Sequence, residues 1–199
     1  ARKRLVEELG AAGVRDLAVL RAIDLTPRHL FVPTGVRHRA YDDTPLPIGH
    51  GQTISSPTIV AIMTQLLLEN APVGTTPAKV LEIGTGCGYQ TAILAKLVKE
   101  VYTIERIASL MDKARRHLRD LRFYNVRFKH ADGHGGYPEA GPYDGIISAA
   151  SASHVPPALK SQLAVGGRLV LPVGTAEQWL YVVDRTPTGF TEQKRDAVR

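Results

Sequence analysis

Apolar positions recur at helical spacing in two short stretches near the start of the chain, KRLVEELG and VRDLAVLRAI, the first closed by Gly10. They predict two short helices within residues 2–24. A third apolar face, built from Ile59, Val60, Ile62, Met63, Leu66 and Leu67, follows Ser56-Pro57, with proline in the first turn as helix starts favour. From residue 78 the pattern switches to short β-type runs alternating with helical ones. AKVLEIG, VYTIE, VRFKHAD, YDGIISA, GGRLVLPVG, WLYVVDR and FTEQKRDAV read as strands. TAILAKLV, SLMDKARRHLRDL and PPALKSQLA read as helices between them.

This alternation implies an α/β fold with a mostly parallel sheet of seven strands, helices on both faces and an antiparallel hairpin at the C-terminal end. One domain over residues 1–199 is expected: 1–77 supply N-terminal helices and a loop, 78–199 the α/β core. Between the second and third helices lies TPRHLFVPTGVRHRAYDDTPLPIGHGQTISSP, rich in proline and glycine and without a clear period. A loop that long inside a compact domain is usually functional.

Composition narrows the picture a little. No apolar run reaches the ~18–20 residues that span a bilayer; IVAIMTQLLL is broken by Thr64 and Gln65. The basic start lacks an apolar stretch behind it, so no secretory signal is expected and a cytoplasmic protein is the natural reading. A lone Cys87 rules out an internal disulfide and a multi-cysteine zinc site. The net charge of +6 is concentrated around residues 106–129, where Arg106, Lys113, Arg115, Arg116, Arg119, Arg122, Arg127 and Lys129 outnumber Asp112 and Asp120. Such a helix could track nucleic acid. It reads instead as a solvated face, since no aromatic platform interrupts the helical part. A third possibility is that it draws in carboxylate-bearing substrates. His130 and His134 bracket Asp132 but lack a third ligand, so no metal is expected there. Ser148, Ser151, Ser153 and His154 lack a G-x-S-x-G elbow and are assigned to the cleft beyond the fourth core strand.

Candidate chemistry gathers at three strand ends. Glu82-Ile83-Gly84-Thr85-Gly86-Cys87-Gly88 follows the first core strand and opens a helix, so the main chain there can approach a ligand closely. Glu105 closes the second strand, where a carboxylate can accept from both ribose hydroxyls. Asp132-Gly133 closes the third, suited to an adenine edge. Tyr89 stands where a dinucleotide fingerprint requires glycine, and no triphosphate loop occurs. The spacing Gly84-x-Gly86-x-Gly88 instead resembles Rossmann-like class I S-adenosyl-L-methionine-dependent methyltransferases.

The remaining block is more specific. AYDDTPLPIGHGQTIS, then SP and TIVAIMTQLL, with RHLFVP upstream, resembles the protein-L-isoaspartate (D-aspartate) O-methyltransferase family. VLEIGTGCGYQTAILA, VYTIER, YDGIIS and LAVGGRLVLPVG extend the likeness over nearly the whole chain. The resemblance implies methyl transfer to the free α-carboxylate of isoaspartyl residues in damaged proteins and peptides, initiating repair through a succinimide. No metal and no nucleic-acid or membrane partner are expected, and a monomer is expected; the alternative reading, encouraged by the basic helix, is a class I methyltransferase acting on RNA or a small molecule. It also carries over Ser55 as the active-site serine that orients the acceptor carboxylate. Cofactor-side contacts are implied at Gln52, Thr53, Ile54, Ser55, Glu82, Gly84, Thr85, Gly86, Gly88, Glu105, Arg106, Asp132 and Gly133. From local physics alone, Ser55 reads as an N-terminal helix cap, since a serine before Ser-Pro and an apolar run is a common start signal. The family also implies a further short apolar segment after Arg199.

Overall fold

The computed structural model describes residues 1–198, so position 199 of the expected domain lies outside the described residues. The chain opens with helices α1 (Arg2–Ala11) and α2 (Leu17–Asp24), the second capped by Asp16, which accepts from the amides of Ala18 and Val19. After two 3₁₀ segments, Arg28–Leu30 and Thr34–Arg39, strands β1 (Leu46–Gly49) and β2 (Gln52–Ile54) pair antiparallel. Helix α3 (Pro57–Glu69) follows at once. The stretch expected to be an irregular loop is therefore a hairpin braced by short helical turns. Its two-residue turn uses His50 at φ 56° and Gly51 at φ 69°, the left-handed pair that suits a tight hairpin.

The remaining elements alternate as expected: β3 (Lys79–Ile83), α4 (Tyr89–Ala95), β4 (Glu100–Glu105), α5 (Ala108–Asp120), β5 (Val126–His130), β6 (Tyr143–Ser148), α6 (Pro157–Ser161), β7 (Leu163–Val173), β8 (Trp179–Thr186) and β9 (Gly189–Ala197). They form one sheet in the order β5-β4-β3-β6-β7-β8-β9. Neighbours from β5 to β7 run parallel, and β8 and β9 add antiparallel at the end.

Alternation along each strand divides the core. Val80, Val101, Val126, Ile147, Val170 and Val182 pack toward α1 to α5, while Leu81, Ile83, Ile146, Leu169 and Val183 pack toward α6. The two faces are unequally covered, because the β5–β6 connection holds only 3₁₀ turns at Gly133–Gly135 and Pro138–Ala140. Strand order reverses between β3 and β6, with β4 on one side of β3 and β6 on the other. In open parallel sheets the crevice beyond the strand ends at such a reversal is the ligand site. Among the described residues no helix is long and apolar enough to cross a membrane.

Candidate active site

At that reversal a cavity of about 400 Å³ opens, within the size range of small-molecule sites. One wall is the loop after β3. The amides of Gly84 and Thr85 both donate to the Ile104 carbonyl, and the Gly86 amide donates to Glu105 Oε1 at 2.9 Å. Glu105 Oε2 accepts from the Ile107 amide at 2.8 Å. The carboxylate thus ties the glycine loop to the start of α5 while lining the cavity. Gly84 and Gly86 have φ of 91° and 55°, a region L-residues seldom enter, and both line the cavity. A Cβ at Gly133 would come within 2.5 Å of Ile83 Cγ2, so only glycine fits against the β3 end there.

Asp132 lines the cavity beyond β5, its Oδ1 accepting from the His134 amide. Arg106 lies beside Glu105 on the cavity wall, with its carbonyl accepting from His130 Nε2. The cavity thus brings together a carboxylate at the second strand end, an exposed acid at the third and a side-chain-free loop at the first. Three of the residues implied as cofactor contacts lie behind this wall. Gly88 starts α4, and a Cβ on it would meet Ala114 of α5 at 3.2 Å, so it serves helix packing. Thr85 is buried and hydrogen-bonded to Thr103 (2.6 Å). Thr103 also donates to Glu82 Oε1 (2.6 Å), as does Thr91. Glu82 is fully enclosed; burial, reinforced by the nearby Glu105 charge, pushes its carboxyl up to about 7 against the pull of the two threonine hydroxyls.

A second wall comes from the hairpin and the residues that follow it. Gln52, Thr53 and Ser55 line the cavity, together with Ile48 and Gly51. Ile54 does not: it points into the core with 5% of its surface exposed, and Ser56 is buried beside it. Alternation along an extended segment explains this, since Thr53 and Ser55 share one side and Ile54 and Ser56 the other. The helix cap is Ser56, whose Oγ accepts from the Ile59 amide (3.4 Å). Asp43 adds a second brace at this helix start, accepting from the Thr58 amide at 2.9 Å and from the Thr58 hydroxyl. The local reading of Ser55 as the cap is thereby corrected. With the capping done by its neighbour, Ser55 is left half-buried, facing the cavity.

The third wall was only partly legible beforehand. Ser148 and Ser151 line the cavity as assigned, whereas Ser153 and His154 do not, pairing with each other at 3.0 Å. Ala149, Ala150 and Ala152, and the apolar Pro156, Leu159 and Leu171, complete it. Small residues and a distant strand carry no chemical signature, so periodicity could not single them out. The Ala149 amide donates to the Ile83 carbonyl, binding this wall to the glycine loop across the strand reversal.

Comparison with known proteins bears on what the cavity does. A family model described as protein-L-isoaspartate(D-aspartate) O-methyltransferase matches residues 1–198. A protein-L-isoaspartate O-methyltransferase of Dechloromonas aromatica is 54% identical over 198 residues, covering 100% of this chain and 90% of its own. Two solved structures overlay the whole chain. One, a protein-L-isoaspartate O-methyltransferase, superposes with a TM-score of 0.87 at 26% identity, and the chain covers 64% of its length. The other, from Plasmodium falciparum and in complex with S-adenosyl-L-homocysteine, superposes with a TM-score of 0.85 at 25% identity over 95% of its length.

Proposed function

The chain belongs to the protein-L-isoaspartate (D-aspartate) O-methyltransferase family, and from that membership we infer that it methylates the free α-carboxylate of L-isoaspartyl residues in proteins and peptides. S-adenosyl-L-methionine, when bound, supplies an electrophilic methyl group on a cationic sulfur. Glu105 is assigned the ribose hydroxyls, Asp132 and Gly133 the adenine, and Gly84 and Gly86 the main-chain approach to the rest. Arg106 and Gln52 complete the cofactor side. Glu82, Thr85 and Gly88 support that wall from behind, and Ile54 anchors the lip.

The acceptor needs no general base. A free carboxylate has a pKa near ~4 and is already ionised at neutral pH. What the chain must supply is alignment of one oxygen and removal of its water. Ser55 meets that need: its hydroxyl donates to the acceptor carboxylate without neutralising it as an ammonium ion pair would. Thr53 on the same side bounds the entrance. The observation that carries this reading is the placement of Ser55 among the residues that line the same cavity as the glycine loop, with Ser56 taking the cap. We read the whole chain as one domain, supported by an apolar cluster that joins Leu5, Val19 and Phe31 to Val170 and Val182. A cytoplasmic monomer acting on polypeptides, without nucleic acid, completes the proposal.

The test is transfer of labelled methyl from S-adenosyl-L-methionine to a matched peptide pair, one isoaspartyl and one aspartyl. Methylation of the isoaspartyl peptide alone is expected. Equal labelling of both, or of neither, would overturn the assignment.

A further inference from the structure

The RHLFVP block lies outside the cavity, yet it delivers the least expected side chain in the molecule. Arg28 is fully buried, with no surface exposed. Its Nη2 donates to the Ser55 carbonyl at 2.9 Å and reaches the Thr44 carbonyl at 3.5 Å. Its guanidinium carbon stands 4.8 Å from the centre of the Tyr89 ring, which is itself buried at the start of α4, directly after Gly88. Among the described residues neither Nε nor Nη1 has a hydrogen-bond partner, and no carboxylate is within ion-pair distance. Asp43, the acid whose charge reaches it, is committed to Thr58.

A buried cation with open donors is costly, and for fold stability alone an apolar residue of similar size serves as well or better. The contact it makes explains its presence. Ser55 falls between two fixed points, Ile54 paired to Leu46 in the hairpin and Ser56 capping α3. It belongs to neither element, so its orientation needs a separate restraint. We propose that Arg28 is a positioning residue for methyl transfer: its guanidinium, placed over the Tyr89 ring, holds the Ser55 carbonyl so that the hydroxyl faces the cavity. The inference rests on the reading of Ser55 given above. Arg28 touches neither substrate nor cofactor and acts through the serine. Because Tyr89 begins the helix that leaves the glycine loop, the same guanidinium references the substrate lip to the cofactor wall.

The test compares Arg28→Lys and Arg28→Met, each alone and combined with Ser55→Ala. Turnover of an isoaspartyl peptide is measured alongside the dissociation constant for S-adenosyl-L-homocysteine. Lysine keeps the charge and one donor; methionine keeps only the bulk. A loss of about tenfold in kcat for the lysine variant and about a hundredfold for methionine is expected, with the dissociation constant changed less than about twofold. On the Ser55→Ala background, Arg28→Lys should cost nothing further. A tenfold cost that persists there, or a loss that tracks the dissociation constant, overturns the role of Arg28 alone. A Ser55→Ala enzyme with full turnover removes the serine reading first and this inference with it. Should methionine prevent folding, the lysine pair still decides.

Discussion

Two walls of the cavity each stand over a buried ionisable side chain with unpartnered atoms, and they resolve that burden differently. Behind the glycine loop, Glu82 has one oxygen held by Thr91 and Thr103 and the other without a partner. A carboxyl can escape by keeping its proton, and burial drives it that way. Beneath the lip, burial lowers the pKa of Arg28 from its ordinary value, but a guanidinium cannot shed its charge in a protein. It must find carbonyls and an aromatic face instead, and those belong to Ser55, Thr44 and Tyr89. The cofactor wall is thus stitched by main-chain bonds between strand ends and adjusts through a proton. The lip is pinned by a permanent charge that fixes one orientation. This suits a binding surface that must come close on one side and a serine that must be aimed on the other.

Four changes separate the walls. The largest effect is expected from Ser55→Ala. Removal of one aligned donor costs about 10²–10³ in turnover, while the cofactor dissociation constant stays within about twofold; steady-state kinetics and a binding titration on the same variant check both halves. Unchanged turnover would leave the lip no distinct chemistry.

Next is the pH dependence of Glu82. The folded state holds its proton up to about 7, whereas the unfolded chain releases it near the ordinary value of 4.5. Stability from this group is complete below the lower value and lost as pH rises through the upper one, about 3 kcal/mol across the window. Melting curves of the parent and of Glu82→Gln from pH 5 to 8 should therefore converge on different slopes, the glutamine variant lacking that decline. Parallel curves would mean that the carboxyl is charged in the fold.

Glu105→Gln should weaken cofactor binding by about ten- to a hundredfold, the value of hydrogen bonds to a charged group. Calorimetry with S-adenosyl-L-homocysteine measures it, and an unaltered constant would remove Glu105 from the ribose. Smallest is Ser56→Ala, expected to lower stability by about 1 kcal/mol through loss of the α3 cap. Turnover per folded molecule should hardly move. If Ser56→Ala proved as damaging to turnover as Ser55→Ala, the division of labour between the adjacent serines would fail.

The strands and helices after residue 78 were legible because each buries one face and so carries its own period. The three acidic or glycine-bearing strand ends were legible because the sheet forces them to a common edge. The hairpin at Leu46–Ile54 was not. Pro47 argues against a strand, and a His-Gly turn is a weaker hairpin signal than Asn-Gly, although it can reach the same left-handed geometry. The tip is held from afar, by His50 Nε2 against the Ser109 hydroxyl at 2.7 Å. The local reading of Ser55 as the cap overlooks that proline takes the first helical position, which leaves the residue directly before it, Ser56, to cap α3.

Sequence alone determined the layered α/β plan, the order of its parts and the three strand ends where a nucleoside could rest. Those follow from local periodicity and from backbone freedom at glycine, which act within a few residues. Tertiary structure alone decided which acids and glycines stand behind the cavity wall, and that an arginine 27 positions upstream holds the lip. Each of these turns on a contact between segments far apart in the chain, and hydrogen bonding and burial across such distances leave no period in the sequence to read.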